Sequence, residues 1–466
     1  MDDLPYNAIR GLASLLMSSF FSQVEVDGLE NVPKEGPVIF ASVHPNALVD
    51  PALVLVHCSR HVRIISKDQL FHLPVMKTIL KAIKAVPVKR AADSGNKEGG
   101  GSEAVHLNNT SMFSEVWKAL DAGDAIAIFP EGTTEMVSHI RKIKTGTARI
   151  ALGFGKEHRS GSNQDKQDLR IVPVGLNYTN RNRYRSQVLL SFGRPIVIDD
   201  KWKERYEKEE WTAVTELTSF IQASLESITI TAPDWSTLKV MTTAKNIMKP
   251  SYEQDIKYDV ELTRRFLVGY QSVLSNLKEE TNLDEIAKIS QMRTELEDYQ
   301  YTLDALGLTD KEVQKLNQYK KPFVDHLFND FVVWPLALIG VILNFPIPIA
   351  TKLLGSIIAR GEIVEELTYK MVAAMASALL TYSIIGSLLW YHYGFLFTFF
   401  AVLFMVLTGM TAVAKRPLNS TTSFLRSLYK VVPKDLQKKR EDLRQRMKEM
   451  TMRYSQFDTA RKDYEQ

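Results

Sequence analysis

Short apolar runs rich in β-branched residues recur at 24–26, 38–43, 62–66, 85–89, 125–129, 171–176 and 188–192. Between several of them the apolar positions change to a helical period, as at 51–57, 75–83 and 114–122. Short β-branched runs bounded by turn residues read as strands, and a 3.6-residue period reads as a helix with one buried face. Their alternation predicts an α/β domain over 24–202, a mixed central sheet flanked by helices. Residues 95–109 and 160–166 are rich in Gly, Ser and Asn and read as loops.

The pattern then changes twice. Residues 203–328 are charged and helical in period, with long helices expected at 251–277, 283–307 and 309–320, forming an α-helical connector. Beyond them, 371–390 and 394–414 contain no Asp, Glu, Lys, Arg or His. Each is long enough to cross a hydrocarbon core of about 30 Å. Trp390-Tyr391-His392-Tyr393-Gly394 sits between them, so the pair reads as a hairpin with an aromatic tip. Lys370, Lys415 and Arg416 at its open ends place those ends and the bulk of the protein on the cytosolic side. The apolar stretch 331–359 is split by Asn344-Phe345-Pro346-Ile347-Pro348. It is read as a re-entrant or interfacial helix pair, with a single kinked span as the alternative, because proline removes a helical donor. The membrane region as a whole is 329–414.

At the N-terminus, residues 1–23 carry Leu4, Ile9, Leu12, Leu15, Leu16, Phe20 and Phe21 around a single Arg10. This predicts an amphipathic, membrane-associated helix, with an ordinary core helix as the alternative.

Composition alters this picture in three places. The 58 basic and 54 acidic residues among 466 leave a net charge of +4, which provides no footing for a nucleic-acid partner. From Lys415 to Gln466 there are 14 basic and 7 acidic residues, a net of +7, so the remainder sums to −3. Residues 415–466 therefore read as a basic cytosolic tail suited to an anionic leaflet. A single cysteine, Cys58, excludes an intramolecular disulfide and a multi-cysteine zinc site and fits a reducing compartment. The sequons at Asn109 and Asn177 would be unused there.

Candidate chemistry gathers at strand ends, where α/β folds place their sites. His44 follows an apolar strand in Ala41-Ser42-Val43-His44-Pro45-Asn46, and Asp50 stands at the start of the next helix. An imidazole titrating near neutrality takes a proton from a hydroxyl, and a carboxylate beside it fixes its tautomer. Phe129-Pro130-Glu131-Gly132-Thr133-Thr134 follows another strand, with Lys142 and Lys144 beyond it. Val86-Pro87-Val88-Lys89-Arg90 ends a third, where the planar guanidinium fork suits a phosphate. Ile171-Val172-Pro173-Val174-Gly175-Leu176-Asn177-Tyr178 forms a fourth block.

In order, spacing and context these four blocks resemble those of the glycerolipid acyltransferase superfamily, over about residues 24–198. The layout of C-terminal helices and paired spans is similar to the fungal-type glycerol-3-phosphate/dihydroxyacetone-phosphate acyltransferases. Two features depart from the family pattern. Five residues rather than four separate His44 from Asp50, so the turn must absorb one more. Thr134 stands where many relatives have arginine, which moves the phosphate role to Arg90 and Lys144.

The resemblance implies acyl transfer from acyl-CoA, a substrate, to a glycerol 3-phosphate or dihydroxyacetone phosphate hydroxyl, in phospholipid and triacylglycerol synthesis. No cofactor is implied. His44 would be the general base and Asp50 its orienting partner. Asn46, Arg90, Glu131, Gly132, Thr133, Lys142, Lys144 and Pro173 would bind substrates. The bilayer would be the partner surface, in the endoplasmic reticulum of a eukaryote or the plasma membrane of a bacterium. A lysophosphatidate acceptor is the alternative within the same chemistry. A non-catalytic membrane scaffold with a degenerate domain is the alternative from another class.

Overall fold

A computed structural model describes residues 4–72, 74–88, 113–132, 137–159, 167–179, 185–249, 255–277, 283–315, 334–358, 366–415 and 434–453. The chain forms two units, Met1–Ile230 and Thr231–Gln466.

Among the described residues the first unit is built on an eight-stranded sheet. Its strands are β1 (Gln23–Asp27), β2 (Val38–Ser42), β3 (Val62–Lys67), β4 (Val86–Val88), β5 (Ala125–Ile128), β6 (Arg170–Tyr178), β7 (Gln187–Phe192) and β8 (Ile196–Val197). The order is β1-β7-β6-β2-β5-β3-β4, with β8 beside β6. All pairings are parallel except β6 with β7 and with β8, which makes the sheet mixed, as the alternating pattern predicts. Every residue of β2 and of β5 is buried. Central parallel strands are covered on both faces, which is why they read as unbroken apolar runs.

Helices α1 (Leu4–Phe20), α2 (Val49–His57), α3 (Pro74–Ala82), α4 (113–121), α5 (Gly146–Arg159), α6 (Asp200–Lys208) and α7 (Glu210–Ile228) accompany the sheet. The sequence boundary at 202 falls short, because the first unit runs to Ile230. α7 buries Ala213, Val214, Leu217, Ile221 and Leu225 and packs on α5 and β6. This 3–4 spacing is a core-facing stripe that the surrounding charges obscure. α1 is likewise bonded into this unit. It buries Tyr6, Met17 and Phe20, and Arg10 donates to Val56 O at 2.9 Å and Cys58 O at 2.7 Å. Its other face exposes Leu4, Leu12 and Leu15.

The second unit begins with α8 (Trp235–Met248), α9 (Ile256–Asn276), α10 (Leu283–Leu306) and α11 (Asp310–Lys315). The expected basic tail is in part a packed helix, α15 (Lys434–Arg453), which lies against α8, α10 and α11. Leu436, Arg440, Leu443 and Met447 form its buried stripe, and Arg440 makes a two-pronged contact with Asp310 at 2.8 and 2.9 Å. Its charge-rich composition conceals this stripe, since only one face of a helix needs to be apolar.

The remaining helices are α12 (Trp334–Leu343), α13 (Pro346–Ile358) and α14 (Glu366–Lys415). α14 is interrupted at Gly394, whose φ of 78° and ψ of 174° are not helical. A Cβ on Gly386 would meet Val402 at 3.8 Å, and both positions lie eight residues from Gly394. Asn344 bonds Tyr382 on one limb and the Met405 carbonyl on the other, at 2.8 and 3.1 Å. In a straight helix these positions would be more than 30 Å apart at 1.5 Å per residue, so the chain folds back as a hairpin with its aromatic tip before Gly394. Within α14, Val372–Ala412 is long and apolar enough for membrane crossing. Segments Pro335–Leu343 and Pro346–Leu354 pass the same test only together and are bent by 51°.

Candidate active site

Strand register assembles the site. β2 and β5 run parallel with Ala41 opposite Ile128. His44 and Glu131 each lie three residues further on, so they emerge at the same sheet edge. There the His44 N–H donates to Glu131 Oε1 at 3.0 Å. β2 and β6 are also parallel, with Ser42 opposite Val174, which carries Tyr178 to the same edge.

His44 Nδ1 lies 3.1 Å from Asp50 Oδ2. The extra residue in the His-to-Asp spacing is taken up in the turn ahead of α2. The Asn46 N–H donates to the same Oδ2 at 2.6 Å and closes that turn. Asp50 is fully buried in the first turn of α2, where the helix N-terminus favours a negative charge. The Tyr178 hydroxyl donates to its other oxygen, Oδ1, at 2.5 Å. The imidazole stacks on Phe129 with ring centroids 4.2 Å apart. With Nδ1 on the carboxylate, Nε2 has no hydrogen-bond partner among the described residues and is the nitrogen left to meet a substrate.

Burial pushes the Glu131 carboxyl above its usual range, against the opposing pull of the His44 and Arg141 N–H groups and the imidazole. The nearby Asp50 charge adds to the rise. Gly132 has φ +69°, and a Cβ there would lie 2.8 Å from Lys144 Nζ. Glycine thus admits both the left-handed turn and the ammonium that lies over it. The Lys144 N–H donates to Pro130 O at 2.9 Å, which ties the two segments together. A small cleft opens beside them, lined by Val43, Pro45, Glu131, Ser138, His139 and Leu176 along with Thr229 and Ile230.

Of the residues singled out from sequence, His44, Asn46, Asp50, Glu131, Gly132 and Lys144 meet at this edge. Asn46 Nδ2 is buried without a partner among the described residues. Lys142 is exposed nearby. Pro173 is buried within β6 opposite Ala41 and does not line the cleft. Having no N–H, it offers no donor to an oxyanion. Arg90 and Thr133 lie outside the described residues.

Sequence reasoning passed over Phe129, Tyr178, His139 and Asn177 as site residues. Asn177, noted in the fourth block and as the head of a sequon but given no role, clamps the cleft wall. Its Nδ2 donates to Ile228 O at 2.9 Å, and its Oδ1 accepts from the Ile230 N–H at 2.8 Å. A polar residue ending an otherwise apolar strand was the available signal for both Asn177 and Tyr178.

Residues 23–177 match the family model described as acyltransferase, and residues 240–456 match the glycerol-3-phosphate acyltransferase 2 C-terminal domain. The chain thus carries a region similar to acyltransferases followed by one similar to the glycerol-3-phosphate acyltransferase 2 C-terminal domain, a layout that resembles the fungal-type glycerol-3-phosphate acyltransferases. It is 30% identical over 305 residues to glycerol-3-phosphate O-acyltransferase 2 of Saccharomyces cerevisiae, covering 60% of this chain and 39% of that one. It is 26% identical over 310 residues to glycerol-3-phosphate O-acyltransferase 1 of the same yeast, covering 62% and 38%. The chain thus spans about two fifths of the length of these curated relatives. The solved 1-acyl-sn-glycerophosphate (LPA) acyltransferase of Thermotoga maritima covers 46% of this chain and 80% of that one at 19% identity, with a TM-score of 0.32.

Proposed function

We propose that this chain is a membrane-bound O-acyltransferase that moves a fatty acyl group from acyl-CoA to glycerol 3-phosphate, and also to dihydroxyacetone phosphate. The observation that carries the reading is the 3.1 Å contact between His44 Nδ1 and buried Asp50, beside a main-chain link to Glu131. The names of the two yeast relatives support the acceptor.

In this scheme the acceptor hydroxyl donates its proton to His44 Nε2 as its oxygen attacks the thioester carbonyl. Asp50 stabilises the imidazolium that forms. The tetrahedral intermediate collapses, the C–S bond breaks, and the CoA thiolate recovers the proton from the imidazolium. The products are a monoacyl glycerophosphate and free CoA. No cofactor enters the scheme, and no acyl-enzyme is needed. Cys58 is fully buried and burial pushes its thiol up, which suits a packing role. Glu131 and Gly132, with Thr133, would hold the acceptor, and Lys144, Lys142 and Arg90 would attract its phosphate.

The bilayer is the proposed partner surface. Leu379, Leu380, Ile384, Leu388, Phe399, Phe400 and Leu407 are all exposed along the hairpin. An apolar surface of this extent needs lipid or protein to cover it. The exposed leucines of α1 offer a further contact. The basic residues flanking the hairpin support a catalytic unit in the cytosol, on the endoplasmic reticulum of a eukaryote or the plasma membrane of a bacterium.

The test is acyl-CoA turnover by the purified full chain with glycerol 3-phosphate, dihydroxyacetone phosphate and lysophosphatidate as acceptors. Turnover with glycerol 3-phosphate well above that with lysophosphatidate supports the reading. The reverse order makes the protein a lysophosphatidate acyltransferase, and no turnover with any of them makes it a scaffold.

A further inference from the structure

We propose that Tyr178 is a positioning residue for acyl transfer, the third member of a relay in which Tyr178 holds Asp50 and Asp50 orients His44. The proposal rests on the general-base reading of His44 and extends it to a residue 128 positions away from Asp50 in the chain.

The two oxygens of Asp50 do different work. Oδ2 faces the His44 ring and the Asn46 N–H. Among the described residues Oδ1 has one partner, the Tyr178 hydroxyl. Asp50 is fully buried, so water cannot replace that donor, and a buried acceptor without a partner pays its full desolvation cost. Removing the hydroxyl leaves Asp50 free to turn Oδ1 toward another donor, and Oδ2 then leaves Nδ1. The tyrosine is itself held. It ends β6, whose register on β2 places it at this edge, and its ring lies 5.9 Å from that of Phe21. The hydroxyl therefore reaches Asp50 from a rigid strand rather than a loop, the arrangement that preserves catalytic geometry best.

Among the described residues the other titratable groups here are few. Glu131, on the turn after β5, acts on both His44 and Asp50. Lys144 lies over Gly132, and His139 lines the cleft. None of these is bonded to Oδ1, so a change at Tyr178 reports on Asp50 through that oxygen. Once Oδ2 has left Nδ1, the imidazolium formed in the reaction loses its carboxylate partner and is less stabilised. The low-pH limb of the rate profile then moves to lower pH.

The experiment is steady-state acyl transfer by the full chain in lipid vesicles, with kcat followed across pH. Tyr178→Phe should keep its ring on Phe21 and its melting temperature near wild type. Its kcat should fall about tenfold, the order expected for a hydrogen bond to a charged group, with KM for both substrates nearly unchanged. Its low-pH limb should shift to lower pH. In an Asp50→Asn background the same substitution should cost nothing more, because residues acting through one contact are not additive. Phe21→Leu loosens the same ring without touching the hydroxyl and should keep the wild-type pH profile. Wild-type kcat and pH profile in Tyr178→Phe, alongside a dead His44→Ala, would overturn the relay alone. An equal loss from Tyr178→Phe with and without Asp50 would also overturn it. Full turnover by His44→Ala would remove the general base and the relay together.

Discussion

Two buried aspartates, one in each unit, accept a hydrogen bond from a tyrosine and yet are set to different tasks. Asp310 lies between α10 and α15, where Tyr299 bonds Oδ1 at 2.8 Å and Arg440 grips both oxygens. Asp50 lies beneath the sheet edge, where Tyr178 bonds one oxygen and the other is shared by a main-chain N–H and an imidazole. The difference lies in the cation. Arginine stays charged at any working pH, so Asp310 is neutralised permanently and the contact can only hold the helices together. Burial alone would lower the Arg440 guanidinium, but its bonds to Asp310 more than offset that and carry it upward. Burial, then Asp310, pushes the Tyr299 hydroxyl well above its ordinary value, so that group stays protonated as a donor. The His44 ring carries a charge only when it holds both protons, so Asp50 is neutralised only in that state. A carboxylate matched to a permanent charge is a clasp, whereas one matched to a titrating ring can support proton transfer.

The comparison is broken most directly at the ring. His44→Ala should cut turnover by about 10²–10⁴-fold, the range for loss of a general base, with the melting temperature hardly moved. Assay and thermal melt on one preparation check both halves, and full turnover would end the distinction between the two aspartates. Next in size is Arg440→Ala, which leaves Asp310 buried without its charge partner. It should destabilise the second unit by roughly 3–5 kcal/mol in denaturant unfolding, while Asp310→Leu with Arg440→Met recovers most of the loss. An Arg440→Ala protein as stable as wild type would mean the clasp carries nothing.

Gly132→Ala is smaller. It forces a side chain into left-handed backbone at about 1–2 kcal/mol and pushes Lys144 off the turn, so KM for the acceptor should rise. Unchanged KM and stability would separate Lys144 from the acceptor site. The smallest effect belongs to Glu131. Its carboxyl is raised from 4.5, so between that pH and its folded value the native state binds more protons than the unfolded state. Stability therefore falls as pH rises through that window and stays lower above it. Glu131→Gln should raise the melting temperature by a few degrees at pH 7.5 and by nothing at pH 4. Equal melting shifts at both pH values would show that the buried charge is not the cause.

The sequence by itself determined the α/β layout, the apolar hairpin and the strand ends bearing His44 and Glu131. These are short-range properties. A period of 2 or 3.6, a run without charge and a glycine after a strand are all legible within a few neighbouring residues. The five-residue spacing from His44 to Asp50 was legible too, but not whether the turn could bring the two together. Tertiary structure decided that, because contact depends on where the Asn46 N–H points once β2 and α2 are packed. It also decided that α7 belongs to the sheet unit, that α15 docks through Arg440 onto Asp310, and that Asn344 joins the two limbs of the hairpin. Tyr178 makes the same point, since nothing near it in the chain mentions Asp50. Their meeting follows from the register of β6 on β2, which is set by packing between side chains more than a hundred residues apart. Local chemistry names candidates, and only the register of distant strands determines which of them touch.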